Sequence, residues 1–229
     1  MERPHAILFD VDGLLITTGG AGTRSWRWAF NELYGIPADI GRFTEAGMTD
    51  PVVGRLTFTN VIGREPSPEE LAAVISHYLM RLPEEVADSS GYRVLDGVDE
   101  LLPRLGKAGF LLGITTGAVE AAAHIKLARA NLNRFFSFGG YGSDSADRGE
   151  LTRKAIDRAG KIAGSELDPK RVLVLGDTPK DIAAAHAAGA IGVGVASGHF
   201  GKDELRAAGA DYVLESLVDE LPGIADPVS

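Results

Sequence analysis

The apolar and polar positions along the chain fall into two rhythms. Ala6 to Phe9 is an unbroken apolar run that ends at Asp10, Asp12 and Gly13, and a run of that kind closed by a turn signal predicts a strand buried on both faces of a parallel sheet. Thr17 to Gly22 reads as a flexible connection. Trp26, Ala29, Phe30 and Leu33 then recur at helical spacing and predict a helix over 23–34. Val52 to Val61 carries a weaker helical pattern. Ser67-Pro68-Glu69-Glu70 combines an N-cap, a proline at the first helical position and a glutamate three after the cap, which predicts a helix from Pro68 to about Leu82. No stretch between Gly19 and Gly91 predicts a strand, so 17–91 reads as an all-helical insert entered and left through glycine-containing links.

Beyond Gly91 helix and strand alternate. Helices are predicted at 98–107, 119–130, 150–163, 182–188 and 203–208, and strands at 110–115, 136–138, 171–175, 191–195 and 212–214. A last short helix is expected over 217–221, followed by a frayed tail at 226–229. Alternation of this kind means βαβ crossovers. The expected fold is α/β: a Rossmann-like parallel-sheet core (1–16 and 92–229) with helices on both faces and an inserted helical cap.

Composition narrows the function. The 229 residues suffice for a core without staples, and the absence of cysteine removes disulfides, thiolate metal sites and thiol catalysis. The first strand begins within a few residues of the start, leaving no room for a signal peptide, and no apolar run is long enough to span a bilayer. A cytoplasmic protein is expected, acting on no membrane. The net charge of −9 argues against a nucleic-acid surface. An anionic substrate would have to meet local positive charge or a metal.

Ligands in parallel sheets bind outside the carboxyl ends of the strands, and four such places carry chemistry. Asp10 and Asp12 stand two apart, so strand alternation sends both to one side. Thr115-Thr116-Gly117 closes the second core strand just before a helix N-terminus, where free N–H groups and the Thr116 hydroxyl can hold an anion or merely cap the helix. Arg148 stands in a loop before a helix. Asp177 and Asp181 end a further buried strand, either as caps or as a second acidic pair. Acidic pairs at two strand ends are unfavourable in one crevice unless a cation lies between them, and an oxygen-only donor set suggests Mg²⁺.

These four stretches, in this order, resemble the signature of the haloacid dehalogenase (HAD) superfamily, and the helical insert resembles its C1 type of cap. The nearest likeness is to phosphoglycolate-phosphatase-like members. The resemblance implies a nucleophile at Asp10, a general acid/base at Asp12, phosphate binding by Thr116 and the Gly117 amide, and a metal site of Asp10, Asp12, Asp177 and Asp181. The family's third motif supplies a lysine; here the best-placed residue is Arg148, with Lys154 as the other cation in reach. The implied reaction is Mg²⁺-dependent hydrolysis of a small phosphorylated metabolite through an aspartyl-phosphate. Dehalogenase members lack an acid two residues after the nucleophile, so Asp12 favours phosphoester chemistry. The rivals are a phosphosugar mutase of the same superfamily and a non-catalytic phosphometabolite-binding regulator. Within the cap, Arg24, Arg42, Thr49 and Asp50 are polar residues that could touch the leaving group. A monomer or homodimer is expected.

Overall fold

The computed structural model describes residues 2–224. In chain order the strands are β1 (Ala6–Phe9), β2 (Ile16–Thr18), β3 (Tyr92–Val94), β4 (Leu111–Thr116), β5 (Phe138–Tyr141), β6 (Val172–Gly176), β7 (Ile191–Val195) and β8 (Tyr212–Leu214). The helices are α1 (Ala21–Tyr34), α2 (Asp50–Ile62), α3 (Pro68–Asp88), α4 (Val98–Lys107), α5 (Glu120–Ala128), α6 (Arg148–Ala163), α7 (Pro179–Ala187) and α8 (Lys202–Ala207). Six strands form one parallel sheet in the order β5-β4-β1-β6-β7-β8, which places β1 between β4 and β6 at the centre.

Strand alternation divides the core. Ala6 and Leu8 of β1 and Val172 and Val174 of β6 pack with Ala155, Ile156 and Ala159 of α6 and Ala185 of α7. Ile7, Phe9, Leu173 and Leu175 face the other way, into a cluster with Leu101 and Leu105 of α4, Ala123 and Leu127 of α5, and the apolar side of the cap. Helices therefore cover both sheet faces, and the fold is the expected Rossmann-like α/β core with a helical cap. Residue 10 follows Leu8 by two, so Asp10 leaves the sheet on the side of α6 and α7.

The cap comprises α1, α2 and α3. Trp26 of α1 stacks on Tyr78 of α3 with ring centroids 4.4 Å apart. Val74, Tyr78, Leu82 and Val86 form an i, i+4 buried stripe along α3. That stripe explains why the helix runs through Pro83 to Asp88 rather than stopping near Leu82: continued burial of Val86 outweighs the lost backbone bond.

Other elements differ from expectation for local reasons. The two links to the cap are strands, β2 and β3, paired antiparallel with Thr17 opposite Arg93. β5 starts at Phe138 because the Phe136 N–H is turned back to the Asn133 carbonyl of a 3₁₀ turn. α6 starts at Arg148, since Asp147 caps it by accepting the Glu150 N–H at 2.9 Å; Arg148 is thus the first helical residue and not a loop residue. The helix expected over 217–221 is a turn, held by the Asp219 carboxylate accepting the Glu215 N–H at 2.7 Å. The tail expected at 226–229 lies outside the described residues.

Candidate active site

The ends of β1, β4 and β6 and the start of α6 meet in a crevice of about 490 Å³, lined among others by Asp10, Asp12, Thr116, Gly117, Lys126, Arg148 and Asp177. Asp10 continues the ladder through its N–H to the Leu175 carbonyl, 2.9 Å. Asp177 lies across from it, cradled by two glycines: a Cβ on either Gly13 or Gly198 would overlap its carboxylate. Gly13 also holds φ at 87°, which disfavours any other residue there. Asp181 sits behind, its Oδ2 accepting the Thr178 N–H and hydroxyl at 3.0 and 2.7 Å. Thr178, not Asp177, is the N-cap of α7, and Asp181 completes the capping box.

One carboxylate oxygen from each of Asp10, Asp177 and Asp181 falls within 4.8 Å of the others. All three residues are buried, and neither Asp10 Oδ1 nor Asp177 Oδ1 has a hydrogen-bond partner. Burial, then the Asp181 charge, raise the Asp10 pKa to about 7, against the lowering effect of Arg148. Burial, followed by Asp10 and Asp181, raises that of Asp177 to about 8. Unfolded carboxyls titrate near 4, so between about pH 4 and 8 the folded protein binds more protons than the unfolded chain and these groups lose stability as pH rises. In metal-free protein, Asp177→Asn should therefore raise the melting temperature by several degrees at pH 8 and by much less at pH 5. Thermal denaturation in chelator at the two pH values checks this.

Arg148 reaches into the cluster. Its Nη2 donates to Asp181 Oδ1 and lies 3.5 Å from Asp10 Oδ1, while Nη1 donates to the Gly47 carbonyl at 2.9 Å. Lys154 points elsewhere, donating to the Asp144 carbonyl at 2.6 Å. Thr116 is buried, its hydroxyl oxygen accepting the Ala118 N–H at 3.3 Å. Gly117 lies against the cap: its carbonyl accepts the Asp50 N–H at 2.8 Å, and a Cβ there would strike the Met48 carbonyl.

Of the four polar cap residues read from the sequence, Asp50 alone lines the crevice. Its Oδ2 accepts the Val119 N–H at 2.9 Å, at the start of α5. Thr49 is buried and reaches the Ala146 carbonyl at 3.5 Å. Arg24 pairs with Glu85 and Arg42 lies near the Phe43 ring, both away from the crevice. Thr17, Thr18, Thr23, Met48, Arg93 and His199 are also among the residues that line it.

Sequence reasoning missed Lys126. It is 6 % exposed, and its ammonium donates to Asp12 Oδ2 at 2.5 Å. The side-chain partner of Asp12 is therefore a cation. A signal existed: Ala122, Ala123, Lys126 and Leu127 share the buried face of α5, where a lysine has no reason to sit unless something pairs with it.

The family model of haloacid dehalogenase-like hydrolases matches residues 4–189, and the chain belongs to that family. It is 27% identical over 221 residues to the probable phosphatase IndB of Dickeya dadantii, covering 96% of this chain and 92% of that one. It is 23% identical to the phosphoglycolate phosphatase of Salmonella choleraesuis, covering 100% and 96%. A solved hydrolase structure from Pseudomonas syringae superposes with a TM-score of 0.71 at 24% identity, covering 94% and 95%, which shows a shared fold.

Proposed function

We propose that this protein is a Mg²⁺-dependent phosphatase of small phosphorylated metabolites, working in the cytoplasm with Asp10 as nucleophile. The observation that carries the reading is the pair of buried oxygens without a hydrogen bond, Asp10 Oδ1 and Asp177 Oδ1, beside Arg148 in one crevice. Buried carboxylate oxygens without a hydrogen bond are costly, and hard oxygen donors this close fit Mg²⁺. Asp10, Asp177 and the Asp12 backbone carbonyl would hold the ion, with Asp181 supporting from behind. When bound, it supplies the positive charge that lets an anionic phosphate approach three carboxylates.

Asp10 attacks phosphorus as the bond to the leaving oxygen breaks, and Asp12 gives its proton to that oxygen. Water then attacks the aspartyl-phosphate while Asp12 takes a proton from it, releasing phosphate and restoring both residues. Thr116, the Gly117 N–H and Arg148 bind the equatorial oxygens as charge spreads over them. Purified protein should release phosphate from a panel of phosphorylated metabolites with Mg²⁺ and not with chelator. Failure on every phosphomonoester with Mg²⁺ present would overturn the reading. Mg²⁺ should also raise the melting temperature more at pH 8 than at pH 5, because binding requires the ionised forms of Asp10 and Asp177.

The cap is the moving part of this reading. Gly19 and Gly91 touch backbone to backbone just beyond the β2–β3 ribbon, and Gly19 and Gly20 hold φ at 59° and 81°. These are the places where φ/ψ change is cheapest. Crystal structures with and without a phosphate analogue should differ by a rigid rotation of residues 17–91. Identical structures would remove closure from the account.

A further inference from the structure

Lys126 serves no role in the motifs described above, yet it is a buried cation in the crevice. It stands on α5 of the core and reaches the crevice between Asp12 of the core and Asp50 of the cap. Asp12 of the core accepts its hydrogen bond at 2.5 Å. Asp50 of the cap lines the same crevice. The helix that carries Lys126 is itself fixed. The Lys126 carbonyl accepts the Tyr92 hydroxyl at 2.8 Å, and the Val119 N–H at the helix start donates to Asp50.

Asp12 has the opposite character. Its side chain is 44% exposed, it lies beyond the end of β1 in a tight turn, and Lys126 is its one side-chain partner among the described residues. A carboxylate so placed would rotate freely without that contact. A group that must exchange a proton with the leaving oxygen has to be held within hydrogen-bond reach of it.

We propose that Lys126 is a positioning residue for proton transfer: by gripping Asp12 Oδ2 it fixes the carboxyl group so that Oδ1 is the atom that exchanges the proton with the leaving group. This rests on the phosphatase reading and adds to it a residue from α5, outside the four motifs. Asp50 lines the same crevice, so the grip lies at the seam where cap and core meet.

The test compares two leaving groups. Glycerol 3-phosphate expels an alkoxide that needs a proton, whereas p-nitrophenyl phosphate expels a stable phenolate that does not. The constant kcat/KM reports the step in which the leaving group departs. Lys126→Met should lower kcat/KM for glycerol 3-phosphate by about 10²-fold, the lower end of what general acid catalysis contributes, and that for p-nitrophenyl phosphate by less than about tenfold. Asp12→Asn should show the same bias, and the double variant should be no worse on the alkyl ester than the worse single variant. Lys126→Arg, which keeps a charged donor, should recover part of the alkyl activity. Equal losses on both substrates, or a double variant whose losses multiply, would make Lys126 a structural residue and overturn the proposal. If Lys126→Met does not fold, Lys126→Gln carries the same comparison. Wild-type protein inert toward every phosphomonoester of the panel, these two esters included, would instead overturn the phosphatase reading itself.

Discussion

Asp10→Asn should lose turnover by on the order of 10⁴-fold or more while the protein remains folded. Asparagine is nearly isosteric with aspartate, but its amide oxygen is too weak a nucleophile to form the covalent intermediate. The buried position adds a second expectation that a surface residue would not give. Asp10 lies within the carboxylate cluster and its pKa is raised to about 7, chiefly by burial. Removing its charge relieves like-charge repulsion with Asp177 and Asp181, so the metal-free variant should melt no lower than the wild type at pH 8. A dead but equally stable Asp10→Asn separates catalysis from folding. Retained turnover would take the nucleophile's role from Asp10.

The second large effect concerns the cation. Arg148→Ala should lower kcat by about 10²–10³-fold, the scale of losing one preorganised donor to a developing oxyanion. It should also destabilise the protein, because Asp10 and Asp181 lose the guanidinium that stands between them. Arg148→Lys separates the two contributions: it keeps the charge and loses the fork that bridges Asp181 and Gly47. It should fold normally and remain impaired. Lys154→Ala should cost less than about tenfold, since that ammonium contacts the Asp144 carbonyl and not the crevice. Steady-state kinetics of the three variants, with thermal melts as controls, decides the matter. An active Arg148→Ala beside an inactive Lys154→Ala would move the third-motif role to Lys154.

What could be read from the chain follows from how each residue signals itself. Asp10, Asp12, Thr116 and Asp177 end or follow apolar strands, where polar residues are conspicuous, Asp181 comes in the first turn of α7, and the fold brings all five to the carboxyl ends of β1, β4 and β6. Arg148 was legible as a cation before a helix, but its place as the first residue of α6 depends on the Asp147 cap. Lys126 was hidden because a helix of alanines with a lysine reads as an ordinary amphipathic surface until its buried face is drawn. The β2–β3 ribbon was hidden for another reason. Three-residue strands in Ile16–Thr18 and Tyr92–Val94 carry too little pattern alone, and they form only when residues far apart in sequence pair. The cap wall was the least legible part, because backbone groups of Gly47, Met48 and Asp50 make it as much as side chains do.

The central claim is a covalent phosphoryl group on Asp10, and chemical trapping tests it most directly. Protein mixed with a substrate that it turns over and Mg²⁺ is quenched in acid within one turnover, reduced with borohydride, digested and sequenced by mass spectrometry. An aspartyl-phosphate is an acyl phosphate, which borohydride reduces to homoserine. Homoserine at position 10, absent from Asp10→Asn and from samples without substrate, is the predicted result. An unmodified Asp10 while phosphate is released, or homoserine at another aspartate, would contradict the account.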